Sequence, residues 1–351
     1  MNGEKSLSTI EIEGGTEEDK RKFYTNLYRS YCSRTIFSDV DGQYVDMYER
    51  TQQLKDPASP IYGCDAFWNT FWNLNQLWAL ATPDIMNKWV ESLLEYYRVG
   101  GWLPNGPPGV EYCDIMGAQH EIPLMVSAYQ KGIRNYDADL AYEGLRKNAF
   151  PGGIRDHAGY EHSKDAHSGG MEYYIKMGYV PDGRANVVGM HTTGASMTLE
   201  YAYQDWCLAQ MAKAMGKQAD YELFFERSKN YKNLWNKASG FMQPKGTDGE
   251  WLPDFDPLEL TEKGGFCESN SAIYSHYVPH DMQGLIALYG GHKKYAERLN
   301  ENFVKSEPYG FFRSKDTKSG NWTDYGNQPG TGMAHLFNHA RAPWLTQKMG
   351  A

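Results

Sequence analysis

The sequence predicts an all-α fold and, more narrowly, an (α/α)6 toroid of helical hairpins that lacks its last helices. Three observations carry that prediction. Apolar and aromatic residues recur at helical spacing through most of the 351 residues. The helical stretches come in pairs separated by Gly- or Pro-rich loops, as antiparallel hairpins do. Strand patterns are scarce, the exception being Ser8-Thr9-Ile10-Glu11-Ile12-Glu13, which alternates as a short strand would.

In chain order, Thr16-Glu17-Glu18-Asp19 has the form of a capping box and opens a helix with Phe23, Leu27 and Tyr31 on one face. The stretch from Asp65 to Leu80 is apolar nearly all round, which predicts a buried helix. Thr82-Pro83 places a cap and a first-turn proline before a helix over 85–97, and Gly100-Gly101 stops it. Further helices are expected over 115–132, 137–149, 196–216, 219–235, 282–289, 292–305, 331–339 and from Trp344 onward. A complete ring needs one or two more helices, so the ring reads as cut short. Residues 1–15 read as a linker or the tail of a preceding domain, and 16–351 as one helical domain, incomplete as a ring. The loops 100–109, 151–170 and 247–270 are too long to be mere connectors, and long loops on a rigid scaffold are where sites sit.

Bulk properties exclude several function classes. The net charge of -9 argues against a nucleic-acid surface, which needs clustered Lys and Arg. No apolar run approaches the roughly 20 residues needed to cross a bilayer, and the polar start lacks the apolar core of a signal peptide. Five cysteines (Cys32, Cys64, Cys113, Cys207 and Cys267) stand far apart, which argues against a zinc or redox centre and for small core residues. Aromatics make up 14%, with 10 Trp and 26 Tyr, enough both to fill the space between helices and to offer flat faces to sugar rings.

Three segments concentrate chemistry. The first runs Gly63-Cys64-Asp65-Ala66-Phe67-Trp68-Asn69-Thr70-Phe71-Trp72. The second is Gly264-Gly265-Phe266-Cys267-Glu268-Ser269-Asn270. The third, Asp324-Tyr325-Gly326-Asn327-Gln328-Pro329, precedes Pro343-Trp344-Leu345-Thr346-Gln347. With the blocks 23–28, 38–44, 128–133, 198–206 and 227–231, in shared order, they resemble the catalytic domain of glycoside hydrolase family 92, the calcium-dependent exo-α-mannosidases.

The resemblance implies an inverting reaction that releases terminal α-linked mannose from a mannose-containing oligosaccharide or N-glycan. Such a reaction needs a carboxylic acid on one side of the sugar and a carboxylate base on the other. Glu268 matches the family's acid, and its aromatic-rich loop leads us to expect a buried carboxyl with raised pKa. Asn327 and Gln328 match the metal loop, whose oxygens suit Ca2+, although the family more often has Glu at position 328 and His at position 325. Trp68 and Asn69 match the pair that grips the terminal sugar. Asp65 stands in for a missing carboxylate there, and Tyr325 completes the substrate-binding set. His120 and Glu121 read more readily as a structural pair than as pocket residues.

The family's base lies downstream of the block that ends here at Gln347, so the resemblance implies a base outside these residues. The expected partners besides substrate are then an N-terminal sandwich and a C-terminal segment of the same protein, with no nucleic acid and no membrane insertion. A periplasmic or extracellular setting follows from the same resemblance. Two other readings stay open: a carbohydrate-binding domain that no longer hydrolyses, and another (α/α)6 glycosidase pairing Glu268 with an internal Asp such as Asp254, Asp256 or Asp281.

Overall fold

The structure, a computed structural model, describes residues 6–32, 35–63, 67–68, 70–106, 112, 119–157, 169–184, 193–260, 262–311 and 321–350. Helices dominate, and three two-stranded antiparallel pairs are the only sheets among the described residues. The chain forms two compact units: residues 1–113 with 120–148, and residues 114–119 with 149–351.

The first unit begins with α1 (Glu17–Ser30), whose capping box forms as the sequence predicts. Asp19 N–H donates to Thr16 Oγ1 at 3.1 Å, and Thr16 N–H donates to Asp19 Oδ2 at 3.0 Å. These reciprocal bonds satisfy two donors that a helix start leaves open. The expected strand over 8–13 is absent. Thr9 instead turns back to donate its hydroxyl to the Ser6 carbonyl at 2.8 Å, and no described strand pairs with this stretch.

Two strand pairs follow, β1 (Thr35–Ile36) with β4 (Tyr62–Gly63) and β2 (Gln43–Val45) with β3 (Thr51–Gln53). The tight link between β2 and β3 is organised by Asp46, whose buried carboxylate accepts N–H groups from Tyr48 and Arg50 and side-chain bonds from Arg50 and Gln52.

The long helix expected from Asp65 does not form. Phe67 has φ +51°, residues 70–72 make a single 3-10 turn, and α2 runs only Leu74–Ala81. A left-handed residue breaks the hydrogen-bond ladder that apolar periodicity alone would have continued. Pro83 sits in the first turn of α3 (Pro83–Gly100), and Gly101 ends it with φ +85°. Gly101 takes that conformation without the steric cost a Cβ would bring. Trp89, Val90 and Leu93 of α3, Leu124 and Met125 of α4 (Glu121–Gln130), and Ala141 and Leu145 of α5 (Ala138–Asn148) form a fully buried core.

The second unit is organised on α7 (Gly194–Ala214), which follows α6 (Met171–Met177). The sequence predicts one apolar face for α7; it is instead buried on every side as far as Ala212, apart from Trp206 and Gln210. Its two acidic residues are paired inside. Asp205 takes Arg155 Nη1 at 2.8 Å, Arg227 Nε at 2.7 Å and the Tyr174 hydroxyl at 3.2 Å. Glu200 takes the Tyr277 hydroxyl at 2.6 Å. Helix α8 (Gln218–Arg227) packs along α7; the end of the helix expected over 219–235 is instead a 3-10 turn at Asn230–Leu234, and the short pair β5 (Trp235–Asn236) and β6 (Phe241–Met242) follows. Then come α9 (Ser271–Tyr274), α10 (Met282–Leu288), α11 (His292–Ser306), α12 (Leu336–His339) and α13 (Pro343–Met349). Cys207 and Cys267 are buried in this core, whereas Cys32 is exposed.

Candidate active site

The second unit brings Glu268 and Asn327 together. The chain reaches Glu268 through Gly265, at φ +77°, where a Cβ would stand 2.8 Å from Pro244 Cβ and 3.0 Å from Asp182 Oδ2. Only glycine fits so close an approach. From there the loop is tied to the start of α7. Ser196 N–H donates to the Gly265 carbonyl at 3.1 Å, and Ser196 Oγ accepts the Cys267 N–H at 3.0 Å. The Asp182 carboxylate receives the Gly194 and Ala195 N–H groups at 2.8 and 3.0 Å. Burial pushes the Asp182 carboxyl up to about 7 against the pull of those two donors.

Phe266 stacks on Tyr274, with ring centroids 5.4 Å apart, and Tyr274 meets Tyr277 edge-on, so a buried aromatic wall lies behind the loop. Beyond Glu268 the chain enters α9, capped by Asn270, whose Oδ1 accepts the Ile273 N–H at 3.1 Å and whose Nδ2 donates to the Asn321 carbonyl at 3.0 Å. Glu268 itself has φ +53° and an exposed side chain. The expectation of a buried carboxyl is thereby corrected: the left-handed turn carries the side chain outward, away from the apolar wall made by its neighbours.

Asn327 donates through Nδ2 to the Glu268 carbonyl at 2.8 Å and to its carboxylate at 3.3 Å. Its Oδ1 accepts the Gln328 N–H at 2.9 Å, capping a 3-10 turn over Gln328–Gly330. Gly330 is held against Asp324, whose carbonyl would lie 1.9 Å from an added Cβ. Gln328 is exposed beside this turn. Tyr325 faces elsewhere: its hydroxyl donates to the Met349 carbonyl at 3.3 Å and its ring packs with Phe303 and Phe311.

The donors at this turn are amide oxygens and one carboxylate, the chemistry a hard cation takes, but calcium needs about 6–8 oxygens and Asn327 Oδ1 is already engaged. Among the described residues no group of three or more His, Cys, Asp or Glu converges as a metal set. These residues fit as one part of a calcium shell and fall short of a whole one.

In the first unit, Trp68 is nearly buried at 6% exposure and follows the left-handed Phe67. Asp65 and Asn69 lie outside the described residues. His120 and Glu121 are buried and structural: His120 Nδ1 lies 3.2 Å from the Phe67 carbonyl, and Glu121 Oε1 accepts from Asn148 Nδ2 at 3.0 Å. This unit also carries an open cleft of about 750 Å3, lined in part by Asp56, Asn87, Lys88, Glu91 and Asn135. None of the expected site residues among the described ones lines it.

The internal carboxylates weighed as a base have local roles or open surroundings. Asp281 caps α10 through Gly284 N–H and accepts the Tyr231 hydroxyl at 2.7 Å. Asp256 turns onto the Leu258 N–H, and Asp254 is exposed at φ +55°. Sequence reasoning missed Ser196 and Asp182. Thr193-x-x-Ser196 at the opening of a helix was a usable signal, whereas no local pattern marks Asp182.

The catalytic-domain model of glycosyl hydrolase family 92 matches residues 3–350. The chain belongs to that family. A family 92 inverting mannosidase of Bacteroides thetaiotaomicron superposes with a TM-score of 0.81 at 29% identity, over 99% of this chain and 46% of that one. A family 92 α-mannosidase of the same organism gives 0.77 at 26% identity, over 99% of this chain and 42% of that one. A protein of Arthroderma benhamiae described as an uncharacterized secreted glycosidase is 27% identical over 323 residues, which is 81% of this chain and 38% of the relative. The chain thus spans less than half the length of each of these relatives.

Proposed function

We propose that this chain carries the acid side of an inverting, calcium-assisted exo-α-mannosidase, with Glu268 as the general acid. The observation that supports it best is the turn at Glu268. A carboxyl group stands outward on a left-handed backbone, tied to an amide-oxygen turn by the Asn327 side chain. Non-glycine residues in that conformation concentrate at sites where geometry matters more than local stability.

In the reaction, the protonated Glu268 gives its proton to the glycosidic oxygen as the C1–O bond of a terminal α-mannoside breaks. A water adds to C1 from the opposite face and loses its proton to a second carboxylate, contributed from outside the described residues. The products are β-mannose and the freed alcohol. Asn327 and Gln328 would hold part of a calcium ion's oxygen shell, and the ion, when bound, would supply positive charge to the site. Trp68, Asn69 and Asp65 belong to the grip on the terminal sugar. The substrate is a mannose-terminated oligosaccharide or N-glycan. The setting is extracellular or periplasmic, in keeping with the secreted description of the fungal relative.

The test is Glu268→Gln in the whole protein, assayed on an α-mannoside with a poor leaving group. General-acid loss should lower kcat about 10²–10⁴-fold while KM changes little. Turnover that survives the substitution would remove Glu268 from the mechanism. Chelation should abolish the wild-type rate and added calcium should restore it; indifference to chelator would end the metal assignment.

A further inference from the structure

Glu268 occupies a backbone conformation that residues other than glycine avoid, and its neighbours Cys267 and Ser269 are not glycine either. Its own side chain does little to compensate, being exposed, with the Asn327 amide 3.3 Å from its carboxylate. A strained residue of this kind persists where bonds around it over-determine its position.

Two bonds bracket it. On the near side, the Cys267 N–H is held by Ser196 Oγ at 3.0 Å. On the far side, the Glu268 carbonyl is held by Asn327 Nδ2 at 2.8 Å. Between those two points lies the φ rotation that aims the carboxyl group. Ser196 is itself immobilised. It is buried at 2% exposure, its N–H is committed to the Gly265 carbonyl, and its Oγ lies 3.0 Å from the Thr193 carbonyl and 2.9 Å from Thr193 Oγ1. The helix start that carries it is pinned by the two bonds to Asp182.

We infer that Ser196 is a positioning residue for the acid. It touches no reacting atom, and by fixing the N–H of Cys267, one residue ahead of Glu268, it limits the direction in which the carboxyl presents its proton. The inference rests on the reading of Glu268 as the acid, and the experiment separates the two.

Ser196→Ala is compared with Glu268→Gln in the whole protein on two substrates, methyl α-mannoside and a dinitrophenyl α-mannoside. The first leaving group must be protonated as it departs; the second departs as a stable anion and needs almost no acid. A misaimed acid should cost Ser196→Ala about 10–100-fold in kcat on the methyl glycoside, against about threefold or less on the dinitrophenyl one, with KM steady on both. Glu268→Gln should show the same split more strongly.

Equal loss on both substrates by Ser196→Ala, with the split intact in Glu268→Gln, overturns the positioning role and leaves the acid standing. No split in Glu268→Gln removes the acid and this proposal with it. A second measurement needs no turnover. The Cys267 amide should exchange with solvent as slowly as those within α7, and at least about tenfold faster in Ser196→Ala. Exchange at the rate of an open loop in the unsubstituted protein would overturn the clamp.

Discussion

Among the non-glycine residues at positive φ, Phe67 in one unit and Glu268 in the other are stabilised in opposite ways. Phe67, at φ +51°, is fully buried, with its ring against Trp89 at 5.1 Å. Its carbonyl gathers the Thr70 N–H and hydroxyl, with His120 Nδ1 3.2 Å away. Glu268, at φ +53°, has an exposed side chain touched by Asn327 Nδ2 at 3.3 Å, and is held chiefly through backbone groups at its flanks. The strain is of the same order in both, about 1–2 kcal/mol. Packing of the residue itself offsets it at Phe67; at Glu268 the neighbours do so, and the side chain is left free to act. Equal backbone angles in this pair thus leave one side chain locked in the core and the other at the surface.

The largest effect expected of that contrast is at Phe67. Phe67→Ala removes a buried ring while keeping the unfavourable φ, and should cost about 3–5 kcal/mol in urea unfolding. A loss below about 1 kcal/mol would mean that the ring is not what secures that turn.

The next concerns what lies under Glu268. Asp182 is raised from 3.8 to about 7, so between those values the folded chain holds a proton that the unfolded chain has released. Its contribution is complete below about pH 4 and is lost as pH rises through 7, at about 1.4 kcal/mol per pH unit. The stability of Asp182→Asn, less that of the unsubstituted protein, should therefore climb with that slope from pH 4 to 7. A flat difference across urea titrations would place the Asp182 carboxyl at its ordinary value.

The smallest effect has the opposite sign. Glu268→Gly should gain roughly 0.5–1 kcal/mol by relieving the turn, net of the added freedom of the unfolded chain, while losing the acid. Destabilisation by that substitution would make the two turns alike after all.

Much of the helical framework could be read from the chain because its signals are local. Thr16 with Asp19, Pro83 and Gly101 each mark a boundary through their own backbone chemistry. The two left-handed turns were invisible for the converse reason: neither Phe67 nor Glu268 has any intrinsic preference for that conformation, which arises from bonds made by residues far along the chain. The full burial of α7 was hidden likewise, since Glu200 and Asp205 look like solvent-facing residues until Tyr277, Arg155 and Arg227 are known to meet them. At the site, family-wide motifs pointed to Glu268 and Asn327, and the contact between them joins residues 59 positions apart. The same motifs gave no hint that Tyr325 bonds to the Met349 carbonyl.

Helix α7 has almost no outer face for most of its length, and its first turn is the footing of the Glu268 loop. Neutral drift has little room in such an element, because a new side chain at nearly any position there requires a matching change in whatever surrounds it. Variation among descendants of this chain should collect in surface loops and outer helices, and catalytic impairment should arise from replacements well removed from the sugar, transmitted along a rod that has nowhere to yield.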